Sequence, residues 1–322
     1  MVTLGKPMSS GSIVKYHTKE DQYYTKEGDS GSWYGKGAEE LGLVGKINPK
    51  DLEKIAMGQD QDGNQLIELK KSDLNEDGER KRAGQDLTFS APKSVSVLYE
   101  MAKAHGDEKL ANEIVKAHKD AVKTTLNFVE REYIQTREQI DGERHQIKTG
   151  KLVAATYTHD TARSVDGKID PALHDHAVAM NMTQKEDGTW KSLETKAIFE
   201  NQLAIGAHYR GQLAKLINQN LGFNIQITDA KQGFWEIKDV DTKLVENFSS
   251  RRAQILEAAE TLREKMPNAS EAEIKQMANL ETREWKGEID RDAVRADNKD
   301  RAESMGYGKE WLEKVKTMKK RL

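Results

Sequence analysis

The stretch from Ile169 to Asn181 (Ile-Asp-Pro-Ala-Leu-His-Asp-His-Ala-Val-Ala-Met-Asn) most constrains the fold of this chain. Its polar and apolar residues alternate with the period of a β-strand, which sends His174 and His176 to the same side, followed on that side by Val178 and Met180. A second alternating run, Leu152 to Thr158, ends at His159, and Asp166-Gly167 between the two runs is a hairpin signal. Two strands joined in this way would bring three imidazoles toward one point. A lone His-x-His pair on a strand is as often half-exposed polar filling as a metal site, but a third histidine across a turn shifts the balance toward a metal.

Composition sets outer limits. At 322 residues the chain can form one large domain or two ordinary ones without staples, and with no cysteine it forms no disulfide. A cysteine-free chain with 33% charged residues fits a reducing compartment. No apolar run approaches the roughly 20 residues of a membrane span, and Met1 to Ile13 lacks the apolar core of a signal peptide. A soluble, cytoplasmic protein without membrane insertion is expected. The net charge of −3 does not advertise a nucleic-acid binder, yet a sum hides local clusters such as Arg80-Lys81-Arg82 and Lys319-Lys320-Arg321.

Taken in order, the chain opens with a short strand from Met1, and Ser9-Ser10 offers a helix cap before Ile13, Val14 and Tyr16. Tyr16, Tyr23 and Tyr24 lie among charged and polar residues, a setting for exposed phenols more than for core. Ser30 to Leu43 reads as a glycine-punctuated turn entering a short helix, and Pro49 starts another. Gly35-Lys36-Gly37 lacks the spacing of a phosphate loop. Residues 58–84 read as a surface excursion. A brief strand through Asp86 gives way to a helix, with Ser90 as cap and Pro92 in the first turn; Lys93 there would add to backbone N–H groups that favour an anion such as a DNA phosphate. Long amphipathic helices are expected from Glu108 to Tyr133 and across Ile198 to Ile217, with a strand around Trp190 between them and a hairpin over 223–237 after them. The sequence from about Asp241 onward is helical and charge-rich, with few apolar positions per turn. This composition predicts a peripheral subdomain whose removal spares stability.

The early tyrosines, Trp33 to Leu43, Asp86 to Ser96, and His159-Asp160-Thr161-Ala162-Arg163 leading into Asp170 to Asn181 together resemble the conjugative relaxases of the MobF type. The motifs occur in the family's order over roughly the first 240 residues. The resemblance implies an α+β fold, a central antiparallel sheet flanked by helices, with residues 1–240 as the catalytic domain and 241–322 as a mostly helical subdomain that clamps DNA. It implies an enzyme that nicks one strand at a plasmid origin of transfer, keeps the 5′ end on a tyrosine, and later rejoins it.

Carried over residue by residue, the family pattern makes Tyr16 the first nucleophile and Tyr23 and Tyr24 candidates for a second transfer. His159, His174 and His176 become metal ligands, and Asp86 either orients a ligand histidine or acts as the base near Tyr16. Three features depart from the pattern: His17 follows Tyr16 where many relatives have a second tyrosine, the loop from His159 to His174 is slightly longer, and the helicase region of large relatives is absent from this chain, as expected of a fragment or a short form.

The resemblance suggests Mg²⁺ or Mn²⁺, whereas three imidazoles by ligand type also suit Zn²⁺ or Ni²⁺. Arg80, Lys81, Arg82 and Lys93, with Trp33 and Tyr34, are candidate contacts to single-stranded or hairpin origin DNA. Relaxosome accessory proteins and a conjugative secretion system are the further partners implied. A rolling-circle replication initiator, a non-cleaving origin-binding module and a histidine-metal hydrolase are the alternatives; a covalent protein–DNA adduct separates the last two from a relaxase.

Overall fold

Alternation along Pro171–Met180 places Leu173, Asp175 and Ala177 on one side and His174, His176 and Val178 on the other, and the chain around it is built to cover both sides. In the computed structural model the described residues are 1–15, 31–282 and 290–319. The strands among them are β1 (Val2–Met8), β2 (Ser32–Tyr34), β3 (Gly84–Ser90), β4 (Gln135–Ile140), β5 (Glu143–Lys148), β6 (Ala154–Thr161), β7 (Pro171–Met180), β8 (Thr183–Gln184), β9 (Trp190–Lys191), β10 (Ile225–Asp229) and β11 (Phe234–Ile237). A helical segment over 10–15, α1, precedes α2 (Lys36–Glu40), α3 (Pro49–Ala56), α4 (Lys93–Ala104), α5 (Glu108–Tyr133), α6 (Lys196–Glu200) and α7 (Gln202–Lys215). Then follow α8 (Thr242–Asn247), α9 (Ser250–Lys265), α10 (Glu271–Glu281), α11 (Arg291–Ser304) and α12 (Lys309–Thr317).

Two units interleave along the chain. The first comprises Met1–Ser90, His118–His159 and His174–Leu213. Its centre is the sheet with strand order β1-β3-β7-β6-β2, in which β3 runs antiparallel to both β1 and β7. The front of the sheet buries Ala155, Tyr157, Val178 and Met180 against Ile13 of α1 and Leu52 and Ile55 of α3. The back carries Phe89, whose ring meets Tyr209 of α7 edge-on with centroids 5.5 Å apart. This is the expected central antiparallel sheet with helices on its faces.

Several local expectations hold and others need correction. Ser9 caps α1, its hydroxyl accepting from Ser12 N at 3.0 Å. Ser32–Tyr34, expected as part of a turn, is an edge strand paired with β6, and Trp33 lies in the core instead of facing a ligand. Tyr34 is likewise tied down: its hydroxyl lies 3.0 Å from Lys123 O and 2.5 Å from Asn127 Oδ1, two acceptors for its one proton, and burial pushes the phenol up to about 12. The glycine after it serves backbone approach, since Gly35 has φ 104 and a Cβ there would stand 2.2 Å from Leu152 O. No phosphate is needed at this turn, because Glu130 accepts from Lys36 N at 2.7 Å and Leu152 N at 2.9 Å. The helix expected across 198–217 is divided at Asn201 and finishes in a π-helical turn, Leu216–Asn220.

The second unit comprises Ala91–Ala117, Asp160–Leu173 and Ala214–Leu322. The C-terminal segment therefore belongs with α4 rather than standing apart from Asp241 onward. Leu244, Phe248, Leu312 and Val315 are fully or almost fully buried. Few apolar residues per turn still make a core when they share one face. A second, small cluster joins Ala259 and Leu262 of α9 to Ile274 and Ala278 of α10. The turn between β6 and β7 has Asp166 at φ 51 and Gly167 at φ 77, the left-handed pair that a tight hairpin requires.

Candidate metal centre

Three imidazoles converge on the front of the first unit. Ring centroids of His159, His174 and His176 are 5.2, 5.0 and 5.1 Å apart, and one ring nitrogen from each lies within 4.8 Å of the others. Strand geometry explains the convergence: His174 and His176 are two residues apart on β7, and β6, which carries His159, is the next strand. His159 is buried, whereas His174 and His176 are half-buried. Neutral imidazole is a common metal donor, and three such donors at this spacing fit a single divalent ion with positions left for oxygen ligands.

Asp86 stands against His176. Its Oδ2 lies 2.8 Å from His176 Nδ1 and accepts from the Thr88 hydroxyl at 3.0 Å. Register dictates this meeting, since Thr88 is the cross-strand partner of His176. With Nδ1 engaged by a carboxylate, Nε2 is the nitrogen that faces the triangle, and the ring cannot swivel without losing a charge-assisted bond. Of the two roles open to Asp86 in the sequence, the geometry favours the orienter.

The family model of the TrwC relaxase matches residues 10–305, nearly the whole chain. The chain belongs to the TrwC relaxase family. It is 34% identical over 299 residues to the multifunctional conjugation protein TraI of Escherichia coli strain K12, covering 90% of this chain and 15% of that protein. A second Escherichia coli TraI is 34% identical over 300 residues with the same coverage. The chain thus spans 15% of the length of the curated relatives it matches. Among solved structures, the conjugative relaxase TrwC in complex with OriT DNA is similar in its metal-free form with TM-score 0.77 at 34% identity, over 95% of this chain and 99% of that one. Its metal-bound form has TM-score 0.78 at 33% identity with the same coverage.

Tyr16, Tyr23 and Tyr24, expected from the sequence as nucleophiles, lie outside the described residues. The basic candidates are described, and they separate. Arg80 is 2% exposed; its Nη2 donates to Asn181 O at 2.7 Å, and burial pulls its pKa down to about 10. It supports the chain inside the first unit instead of offering a surface charge. Lys81 and Arg82 are exposed, with Lys81 Nζ donating to Ser72 O at 3.1 Å. A cavity of about 450 Å³ is lined by these three residues with Arg137 and Asn181, and no member of the histidine triangle lines it.

Lys93, in the second unit, is turned inward: its Nζ donates to Pro171 O at 2.8 Å, and burial lowers its pKa. Ser90 remains in β3, and Pro92 occupies the N-cap of α4. The anion at that helix start is the protein's own, since Glu236 Oε2 accepts from Ser94 N at 2.7 Å. Among the described residues no helix is long and apolar enough to cross a membrane.

Sequence reasoning passed over one group of residues at this strand. On the back of β7, Asp175 Oδ1 lies 3.0 Å from His118 Nε2, and His118 Nδ1 lies 2.8 Å from the Tyr209 hydroxyl. Burial alone would raise the Asp175 carboxyl; the facing His118 and a hydrogen bond from Thr158 hold it below the usual carboxylate range. Alternation around two histidines was the available signal, because the residue between them must point the other way.

Proposed function

We propose that this chain is the relaxase part of a conjugation protein, nicking and rejoining one DNA strand at a plasmid origin of transfer through a 5′-phosphotyrosine. The observation that carries the reading is the histidine triangle with Asp86 behind it, on a chain of the TrwC relaxase family. A module that only bound an origin hairpin would need neither. The relatives' solved complexes with OriT DNA support such DNA as the substrate.

His159, His174 and His176 would hold a divalent cation, and Asp86 would fix the His176 ring. When bound, that ion supplies Lewis acidity toward a phosphate oxygen. Mg²⁺ or Mn²⁺ is the working assignment, with Zn²⁺ or Ni²⁺ compatible with the imidazole donors.

Tyr16 is the first nucleophile. Its phenolic oxygen forms a bond to phosphorus as the bond to the 3′ oxygen breaks, and the phenolic proton passes to solvent or a base while the leaving oxygen gains one. Bond energy is retained in the phosphotyrosine, so rejoining needs no nucleotide. Tyr23 and Tyr24 would serve a second transfer. Lys81 and Arg82, exposed beside the cavity, are the stronger candidates among the basic residues for DNA backbone contacts. Cytoplasmic action with accessory proteins and a conjugative secretion system completes the proposal.

The test is a covalent adduct on a denaturing gel after incubation with single-stranded origin oligonucleotides and Mn²⁺ or Mg²⁺. Tyr16→Phe removes one oxygen and keeps the ring, so binding should persist while the adduct from the first nick disappears; Tyr23→Phe and Tyr24→Phe should leave it. Peptide mapping of the DNA to Tyr23 or Tyr24 in the unaltered protein would exchange the roles, and absence of any adduct across candidate origins would remove the nicking reading.

A further inference from the structure

The metal strand is held from behind by a buried polar chain that touches both ligand-bearing strands. Asp175 stands between His174 and His176 and, by alternation, points away from them. It is 4% exposed and His118 and Tyr209 are fully buried, so each polar atom in the group depends on its neighbours within the protein. The carboxylate meets His118 Nε2 of α5 at 3.0 Å, and the Tyr209 hydroxyl of α7 meets His118 Nδ1 at 2.8 Å. The Thr158 side chain also hydrogen-bonds Asp175. Thr158 is the residue before His159 on β6. One buried carboxylate is therefore flanked in its own strand by two ligand histidines, and its bond across to β6 grips the residue next to the third.

An aliphatic residue at 175 would suffice to fill the space, as Leu173 and Ala177 do on the same face. A buried carboxylate is expensive to desolvate and is more costly than an apolar residue unless its partners are well placed. What it adds is directional: its bonds fix how far β7 stands from β6 and from α5. A slip of a few tenths of an ångström between the two strands would open the triangle on the front, where the ligands have no covalent link to hold them together.

We propose that Thr158, Asp175, His118 and Tyr209 form a positioning frame that sets the spacing of the three metal-ligand histidines from the opposite face of the sheet. The inference rests on the reading of His159, His174 and His176 as a metal site. None of the four belongs to the histidine triangle; they act through the backbone of β6 and β7.

Mn²⁺ binding to the full chain, followed by isothermal titration, tests this together with the melting temperature of the metal-free protein. Thr158→Val and Tyr209→Phe each remove one hydroxyl from the frame with little change in shape, and Asp175→Asn removes the charge. As a control, Leu52→Ala in α3 weakens the same unit away from the frame. The expected result is a Mn²⁺ dissociation constant raised about tenfold in Asp175→Asn and about threefold or more in Thr158→Val, with a smaller rise in Tyr209→Phe. Leu52→Ala should lower the melting temperature and leave the dissociation constant unchanged. If affinity follows melting temperature alike in frame and control variants, or does not change in Thr158→Val and Tyr209→Phe, the positioning role is overturned even should Asp175→Asn fail to fold. If the unaltered chain binds no Mn²⁺ while His174→Ala behaves identically, the metal reading itself fails and takes the frame with it.

Discussion

His176 stands in the triangle and meets Asp86 through Nδ1, and these two contacts differ in how far they could be read from sequence. The triangle was legible because β-alternation and a turn signal fix which side a histidine faces, and these are local rules. Asp86 enters from sequence only through the family resemblance, as orienter of a ligand histidine or as base near Tyr16, because it reaches Nδ1 through strand register across 90 positions of sequence. Arg80 makes the same point in reverse: an arginine in a basic run reads alike whether its guanidinium is in water or, as here, on the Asn181 carbonyl. Replacing His174 or His176 by Ala should abolish the covalent adduct while origin-oligonucleotide affinity, measured by fluorescence anisotropy, stays within about threefold. His159→Ala should match them. Adduct formation at the normal rate by the His174→Ala/His176→Ala double variant in chelator would end the metal assignment. Asp86→Asn keeps the shape of the side chain but removes the carboxylate charge that faces Nδ1, so Mn²⁺ affinity should fall about 10- to 100-fold. An unchanged titration would return Asp86 to the alternative role of base near Tyr16.

Elements were legible in proportion to how strongly one side of them is buried. α5 carries an apolar stripe and runs from Glu108 to Tyr133 as its spacing predicts, with Leu110, Ile114, Ala117, Ala121 and Leu126 buried. The β4–β5 hairpin is marked in sequence only by its turn, Asp141-Gly142, with both residues at positive φ. Most of its residues are exposed, so no apolar alternation marks its strands. The three residues of β2 are too few to show a period at all. At α4 the sequence announces a helix start but not what satisfies it, since Glu236 arrives from a hairpin more than 140 residues later. Glu236→Gln retains size and leaves a weaker acceptor for Ser94 N, and should lower stability by about 1 kcal/mol in urea denaturation, less in high salt. Insensitivity to both substitution and salt would show that the helix start is served by other groups.

At the scale of the whole molecule, the question is whether the charge-rich C-terminal segment is an accessory or part of the fold. Counting apolar residues per turn predicts an accessory; the second unit shows why the count misleads. Asp170 is 2% exposed, and its Oδ1 accepts from both Arg301 Nη1 and Nη2 at 3.1 Å while Oδ2 accepts from Ser250 N at 2.7 Å. Arg301 in turn lies over the Phe248 ring, 4.6 Å from its centroid, so one side chain closes an ion pair and a hydrophobic contact together. Asp160 is served similarly, with Arg291 Nη2 at 3.3 Å and Arg295 Nη2 at 3.8 Å. Charge here is internal cement, invisible to a hydropathy pattern. Removing one partner of such a pair leaves a carboxylate buried without its counter-charge, so Arg301→Ala should cost about 3 to 5 kcal/mol, and Asp170→Asn with Arg301→Met should recover part of it. Truncation after Val240 would strip Asp170 of Arg301 and Ser250 at once and expose the faces that Leu244, Phe248, Leu312 and Val315 cover. The shortened chain should therefore lose its cooperative thermal transition or melt well below the full chain. A truncated protein that melts with the full chain and merely binds origin DNA more weakly would restore the peripheral, DNA-clamping subdomain that composition predicts.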